Sequence, residues 1–258
     1  MASSRKLPSA KRPAASLDSA LGALELRRKS IVVGLSGGLD SVVLLHLLKA
    51  RAARQGFALR ALHVHHGLSP NAEAWARHCR ALCQAWGIPI QVSRVRVSRN
   101  GKGREAAARE ARYAAFRNAK GDVLMLAHHL GDQAETILHN LLRGSGVRGA
   151  AGMPPAASFG KKILARPLLD VPRAAILAYA RAQGLEWVED ESNTDESLTR
   201  NFLRRSVGPL LASRFPRWQE ALARAARHFA RRELQGSDVL REFLRGRGLR
   251  APSEARLA

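Results

Sequence analysis

Cysteine is scarce: two residues in 258, too few for a framework of disulfides. No apolar run approaches the roughly 20 residues that a membrane-spanning helix needs. Acidic residues are half as frequent as basic ones, 21 against 43, which leaves a net charge of +22. An excess of that size points to an anionic partner: nucleic acid, an acidic membrane surface, or both. Part of it reflects a general abundance of Arg and Ala along the chain. Hydrophobic residues make up 46% of the sequence, enough for a sizeable core, so intrinsic disorder is excluded for most of the chain.

The first 17 residues hold four basic side chains and no acid, with scattered Pro and Ser. They read as a disordered basic arm, and the apolar stretch of a secretory signal is missing. Their Ser, Ala and Arg content also suits an organellar transit peptide. From Ile31 the pattern alternates between short apolar runs and helical periodicity. Strands are expected at 31–35, 59–65, 90–95 and 122–127, with helices at 40–54, 71–86, 104–118 and 132–142. Repeats of this length build a doubly wound α/β fold, a parallel sheet with helices on both faces. In such sheets a ligand sits beyond the carboxyl ends of the strands. Residues 143–160 read as a long loop. A short strand at 163–165 follows, then helices at 172–183, 198–211 and 218–234. The expected organisation is the arm over 1–17, one catalytic domain over 18–212, and a helical linker or the start of a cut-short region over 213–258.

Between the first strand and its helix lies Ser36-Gly37-Gly38-Leu39-Asp40-Ser41. Glycines let a backbone approach an anion closely and adopt positive φ. Exposed N–H groups and a helix N-terminus favour phosphate, and Ser36 and Ser41 add hydroxyl donors. Asp40 would repel phosphate unless a cation such as Mg²⁺ lay between them. The Gly-Lys-Ser/Thr ending of a Walker loop is absent. A second cluster, His63-Val64-His65-His66-Gly67-Leu68-Ser69, ends the second strand, and alternation puts His63 and His65 on one face. A third runs from His128-His129 to Asp132 and Glu135, followed by Arg143-Gly144-Ser145-Gly146. The i, i+3 spacing puts both carboxylates on one helical face near its start. On its own such a pair is more often a solvated cap. Beside a phosphate loop it could hold Mg²⁺ or take a proton from an amine. Arg109-Glu110-Ala111-Arg112-Tyr113 forms a fourth motif. The fifth is an acidic run, Glu189 to Asp195, followed by Arg200 and Arg204, one helical turn apart and suited to an RNA phosphate or substrate anion. Cys79 and Cys83 are four apart on a helix and read as packing residues.

The hexapeptide resembles the PP-loop of the N-type ATP pyrophosphatases, which split ATP into AMP and pyrophosphate while adenylating a substrate. The order of all five motifs, across about residues 25 to 215, resembles the tRNA(Ile)-lysidine synthetase family. One departure is Gly131, which stands where the family usually has an acid. The resemblance implies a cytoplasmic ligase that takes ATP, Mg²⁺, free lysine and an isoleucine tRNA with a CAU anticodon, and that assembles as a homodimer. It implies ATP contacts at Ser36, Gly37, Gly38, Asp40, Ser41, His63, His65 and Arg112. Metal and amine chemistry would fall to Asp40, Asp132 and Glu135, with Arg112 facing the ATP site to meet phosphate or the adenylate. Arg143, Arg200 and Arg204 would meet tRNA or a substrate anion. Family members continue into further domains that grip tRNA, so selection of tRNA by a chain ending at Ala258 is left open. The competing readings are another enzyme of the same fold, such as a tRNA thiolase or an amidotransferase, and a non-catalytic RNA-binding module. A CxxC pair and a glutaminase segment, marks of the first two, are missing.

Overall fold

The computed structural model describes residues 11–24, 26–97, 103–191, 195 and 197–246. Its contacts divide the chain into two compact units. One comprises the chain up to Asp132 together with 154–201; the other comprises 133–153 and everything from Phe202 onward.

The first unit is built on a six-stranded sheet: β1 (Ser30–Gly34), β2 (Ala58–His65), β3 (Ile90–Arg94), β4 (Val123–Met125), β5 (Ala156–Phe159) and β6 (Lys162–Ala165). The strand order is β3-β2-β1-β4-β6-β5, parallel throughout except for the β5–β6 hairpin. The expected doubly wound α/β fold is thus observed. Strand order reverses between β1 and β4, so their carboxyl ends flank the crevice where such sheets place ligands.

Alternation along β1 explains why both sheet faces are covered. Ile31, Val33 and Leu35 enter a core with Val42, Leu45 and Leu48 of α2 (Leu39–Gln55), with α3 (Ala72–Ala85) and with α7 (Arg173–Ala182). Val32, Leu62, Leu124 and Leu164 point the other way, to Tyr113 and Phe116 of α4 (Arg104–Asn118) and to Phe159. Each fully buried Leu of this kind contributes about 2 kcal/mol by leaving water.

The basic arm expected over 1–17 gives way at Arg12 to a helix, α1 (Arg12–Gly22). Pro13 at its start suits a first helical turn, and Leu17 and Leu21 are buried. Arg51 of α2 donates through Nη2 to Asp18 at 2.9 Å and to the Ala14 carbonyl at 3.3 Å, which pins α1 down. Residues 1–10 lie outside the described residues. The expected loop at 143–160 also holds structure: a single turn, α6 (Val147–Ala150), and β5. Four residues of Ala-Ala-Ser-Phe carry too little β-preference to announce an edge strand, and β5 forms because Gly160, at φ 61°, turns it back onto β6.

The second unit contains most of α5 (Leu130–Leu142), then α6, a π-helical turn at Leu203–Val207 that continues α8 (Thr199–Phe202), α9 (Gly208–Arg214) and the long α10 (Trp218–Gly246). Ala134, Ile137, Ala150, Leu203, Ala223 and Ala226 are buried. Gln133 closes the 133–153 segment on itself: it accepts from the Met153 N–H and donates to the Met153 carbonyl, both at 2.9 Å. Among the described residues no helix is long and apolar enough to cross a membrane.

Candidate active site

The loop after β1 is knotted by its own hydroxyls. Ser41 Oγ donates to the Gly38 carbonyl at 2.9 Å and accepts from the Ser36 N–H at 3.2 Å, and the two serine hydroxyls lie 3.0 Å apart. Gly38 is the cap of the 17-residue α2, so the positive end of that helix opens at the loop. Gly37 sits at φ 92°. A Cβ there would meet Val188 Cγ2 at 3.0 Å and Cys79 Sγ at 3.1 Å, so both conformation and space demand glycine. The Val188 N–H donates to the Gly37 carbonyl at 3.0 Å, which ties a segment far along the chain to this loop.

His63 braces the same loop from below. It is buried, and its Nδ1 donates to the Leu35 carbonyl at 2.9 Å. Burial pushes its pKa down, so it is neutral. His65 turns instead toward α3, with Nε2 3.3 Å from Glu73, which Arg94 also holds at 2.9 Å.

Two carboxylates from different elements converge on His129. Its side chain is 5% exposed, with Nε2 3.9 Å from Asp40 and 3.7 Å from Asp132. Its Nδ1 accepts from the Gly131 N–H at 3.0 Å. An imidazole that accepts at Nδ1 carries its N–H at Nε2, so that N–H faces the two carboxylates. Asp132 also caps the start of α5 by accepting from the His129 N–H at 3.0 Å. The centre therefore lies at the strand-order reversal, with Asp40 from the β1 side and Asp132 from the β4 side.

Comparisons place this geometry in a known family. Residues 11–211 match the family model of the PP-loop domain. This chain belongs to the PP-loop domain family. Over 207 residues it is 52% identical to a tRNA(Ile)-lysidine synthase of Pseudomonas fluorescens, an alignment covering 79% of this chain and 46% of that protein. Over 222 residues it is 48% identical to the tRNA(Ile)-lysidine synthase of Escherichia coli O157:H7, covering 85% of this chain and 52% of that one. The chain thus spans about half the length of these curated relatives. Among solved structures, a U34-tRNA thiolase of Methanococcus maripaludis shares the fold, with a TM-score of 0.68 and 19% identity over 84% of this chain and 78% of that one.

With the PP-loop so placed, the other sequence-predicted residues can be located. Glu135 lies three residues beyond Asp132 along α5, yet its oxygens are occupied. Arg204 Nε donates to Oε1 and Nη2 to Oε2, both at 2.8 Å. Glu135, expected as a metal ligand or amine base, and Arg204, expected as a tRNA contact, thus hold each other in this structure. Arg200 is half-buried and lies within electrostatic reach of His128. The π-helical turn that starts at Leu203 breaks the regular spacing on which the pairing of Arg200 and Arg204 rested. Arg143 is exposed in the second unit. Arg112 is exposed on α4, where its charge, after burial, helps keep His66 uncharged. The acidic run is partly engaged: Glu191 accepts from Ser69 at 2.7 Å and from Asn71 at 2.9 Å, while 192–194 and 196 lie outside the described residues. Cys79 and Cys83 are buried, and burial pushes their thiols up to about 12 and about 11, so neither supplies a thiolate.

The sequence reading gave no role to His129 or Val188. The doubled histidine after a strand was a signal for the first. For the second there was none, since only the fold brings Val188 to the loop.

Among the described residues no cluster of three His, Cys, Asp or Glu side chains is placed to hold a metal by itself. Two carboxylates beside a phosphate loop instead suit Mg²⁺, which takes oxygen ligands, keeps several waters and shares substrate phosphates.

Proposed function

We propose that this chain carries out the tRNA(Ile)-lysidine synthase reaction in the cytoplasm, taking ATP, free lysine and an isoleucine tRNA as substrates. The observation that carries the reading is the meeting of Asp40 and Asp132 at His129, beside a glycine loop on a helix N-terminus. Identity near one half to proteins of that name supports the choice of substrates.

In the first step the carbonyl oxygen of the wobble cytidine attacks the α-phosphorus of ATP, and pyrophosphate leaves. The Ser36–Ser41 loop and the end of α2 receive the negative charge that develops on the leaving group. Asp40 and Asp132 would hold Mg²⁺, which neutralises phosphate charge when bound. In the second step the lysine amine attacks the base carbon that bears the adenylated oxygen, and AMP departs with that oxygen. The nucleophile must lose a proton, and Asp132 accepts it. His129, with its N–H toward both carboxylates, keeps them in register.

The test is ATP-dependent incorporation of labelled lysine into unmodified isoleucine tRNA, with a control in which the wobble cytidine is replaced. Incorporation that needs that cytidine is expected. Absence of both incorporation and tRNA-dependent ATP–pyrophosphate exchange would overturn the reading.

A further inference from the structure

Arg166 stands one residue beyond β6. At this edge of the sheet the Leu126 N–H bonds the Ala165 carbonyl at 3.0 Å, so Arg166 and His128 leave neighbouring strands side by side. The adjacent histidines then part company: His129 faces Asp40, while His128 lies within electrostatic reach of Asp132, Arg166, Arg109 and Arg200. Arg166 is 8% exposed. Its Nη1 donates to the Pro154 carbonyl at 2.8 Å, and the Tyr113 hydroxyl accepts from it as well. Its Nε has no acceptor among the described residues, and neither does His128 Nδ1. Arg109, stacked 4.9 Å over the Tyr113 ring, adds a second cation. Among the described residues, neither its hydrogen bonds nor the charges acting on it give Arg166 a carboxylate partner.

A buried guanidinium with no counter-charge is costly, and a bound anion offsets that cost. Its burial narrows the choice of anion. A polynucleotide phosphate sits on a bulky strand and meets exposed cations. A free amino acid presents a small planar carboxylate that can take parallel N–H donors. Asp132, whose charge also reaches His128, complements the positive end of such a molecule. We propose that Arg166, supported by Arg109 and Tyr113, anchors the α-carboxylate of the amino-acid substrate. This rests on the reading above that the amine donor is free lysine. It makes Arg166 a specificity-determining residue, one that tells an amino acid from a bare amine.

Cadaverine, which is lysine without its carboxylate, provides the test. The full 258-residue chain and its Arg166→Gln and Arg166→Lys variants are assayed for transfer of each amine to isoleucine tRNA. The native chain is expected to prefer lysine over cadaverine by about 100-fold in kcat/KM, the scale of a desolvated charge-assisted contact. Arg166→Gln should collapse that preference to within a few-fold through a raised KM for lysine, and Arg166→Lys should restore part of it. Equal losses with both amines would mark Arg166 as merely structural and overturn the proposal. So would an intact preference combined with weaker RNA binding and a shallower salt dependence, the signature of a phosphate contact. If the native chain transfers lysine and the variant keeps the preference, this inference alone falls. If the native chain transfers neither amine, this inference falls, and the functional reading falls with it when tRNA-dependent ATP–pyrophosphate exchange is absent too.

Discussion

Arg204 grips Glu135 through two parallel hydrogen bonds of 2.8 Å, and the Glu135 side chain is only 6% exposed while that of Arg204 is 41% exposed. A carboxylate so placed depends on its partner. Arg204→Met should lower stability by about 2 kcal/mol, less than for a wholly buried pair because the arginine is partly wet. Arg204→Met combined with Glu135→Leu should recover most of that loss, measured by urea unfolding in a double-mutant cycle. Additive losses would show that the pair is not coupled.

The PP-loop predictions concern conformation. Gly37→Ala puts a Cβ against Val188 and Cys79 at a φ of 92°. The strain is on the order of 1–2 kcal/mol, and the loop must shift to relieve it. ATP-dependent pyrophosphate release should fall at least about tenfold while thermal unfolding moves by a few degrees. A variant with native turnover would show that the loop geometry is not needed.

Asp40→Asn and Asp132→Asn remove one charge each from the pair that meets at His129. Each should reduce pyrophosphate release by about a hundredfold or more, the usual scale for a group acting on transition-state charge. The two should also raise the Mg²⁺ concentration needed for half-maximal rate. Release at the native rate in either variant would remove that carboxylate from the chemistry.

Acid should destabilise the first unit through one buried and three half-buried histidines. His128 is pushed down to about 4 by burial, and burial also lowers His46, His63 and His66 from 6.5. Below pH 6.5 the unfolded chain binds protons at these sites while the folded chain resists them. Stability is therefore full above that pH and falls as the pH drops toward 4. Urea midpoints taken between pH 7.5 and 5 should decline, and His128→Asn should flatten part of the slope. A flat profile in the native chain would contradict the burial of these rings.

Much of this organisation is legible in the residues themselves. Ile31 to Leu35 announce a buried strand by apolar continuity, and Ser36 to Ser41 announce a phosphate turn because few other functions need two glycines and two hydroxyls there. The carboxyl-edge placement of His128 and His129 follows from strand and helix order. What stays hidden depends on contacts between distant segments. Spacing gave Glu135 a free face, but Arg204, 69 residues away, occupies it. His63 shares a strand face with His65, yet one braces a backbone carbonyl and the other meets Glu73, because the neighbours differ at each position. Arg166 follows an unremarkable apolar run, and only the adjoining strand reveals that its charge lies among other cations.

The bond from Val188 to the Gly37 carbonyl also sets an order of events during synthesis. A ribosome that has made the first hundred residues has already made the glycine loop, but not the strap that gives it its form. If the loop holds nucleotide as proposed, that site is complete only once the segment around Val188 has left the exit tunnel and docked. On that reading nucleotide affinity arrives late, as a sign that the sheet-bearing unit has closed.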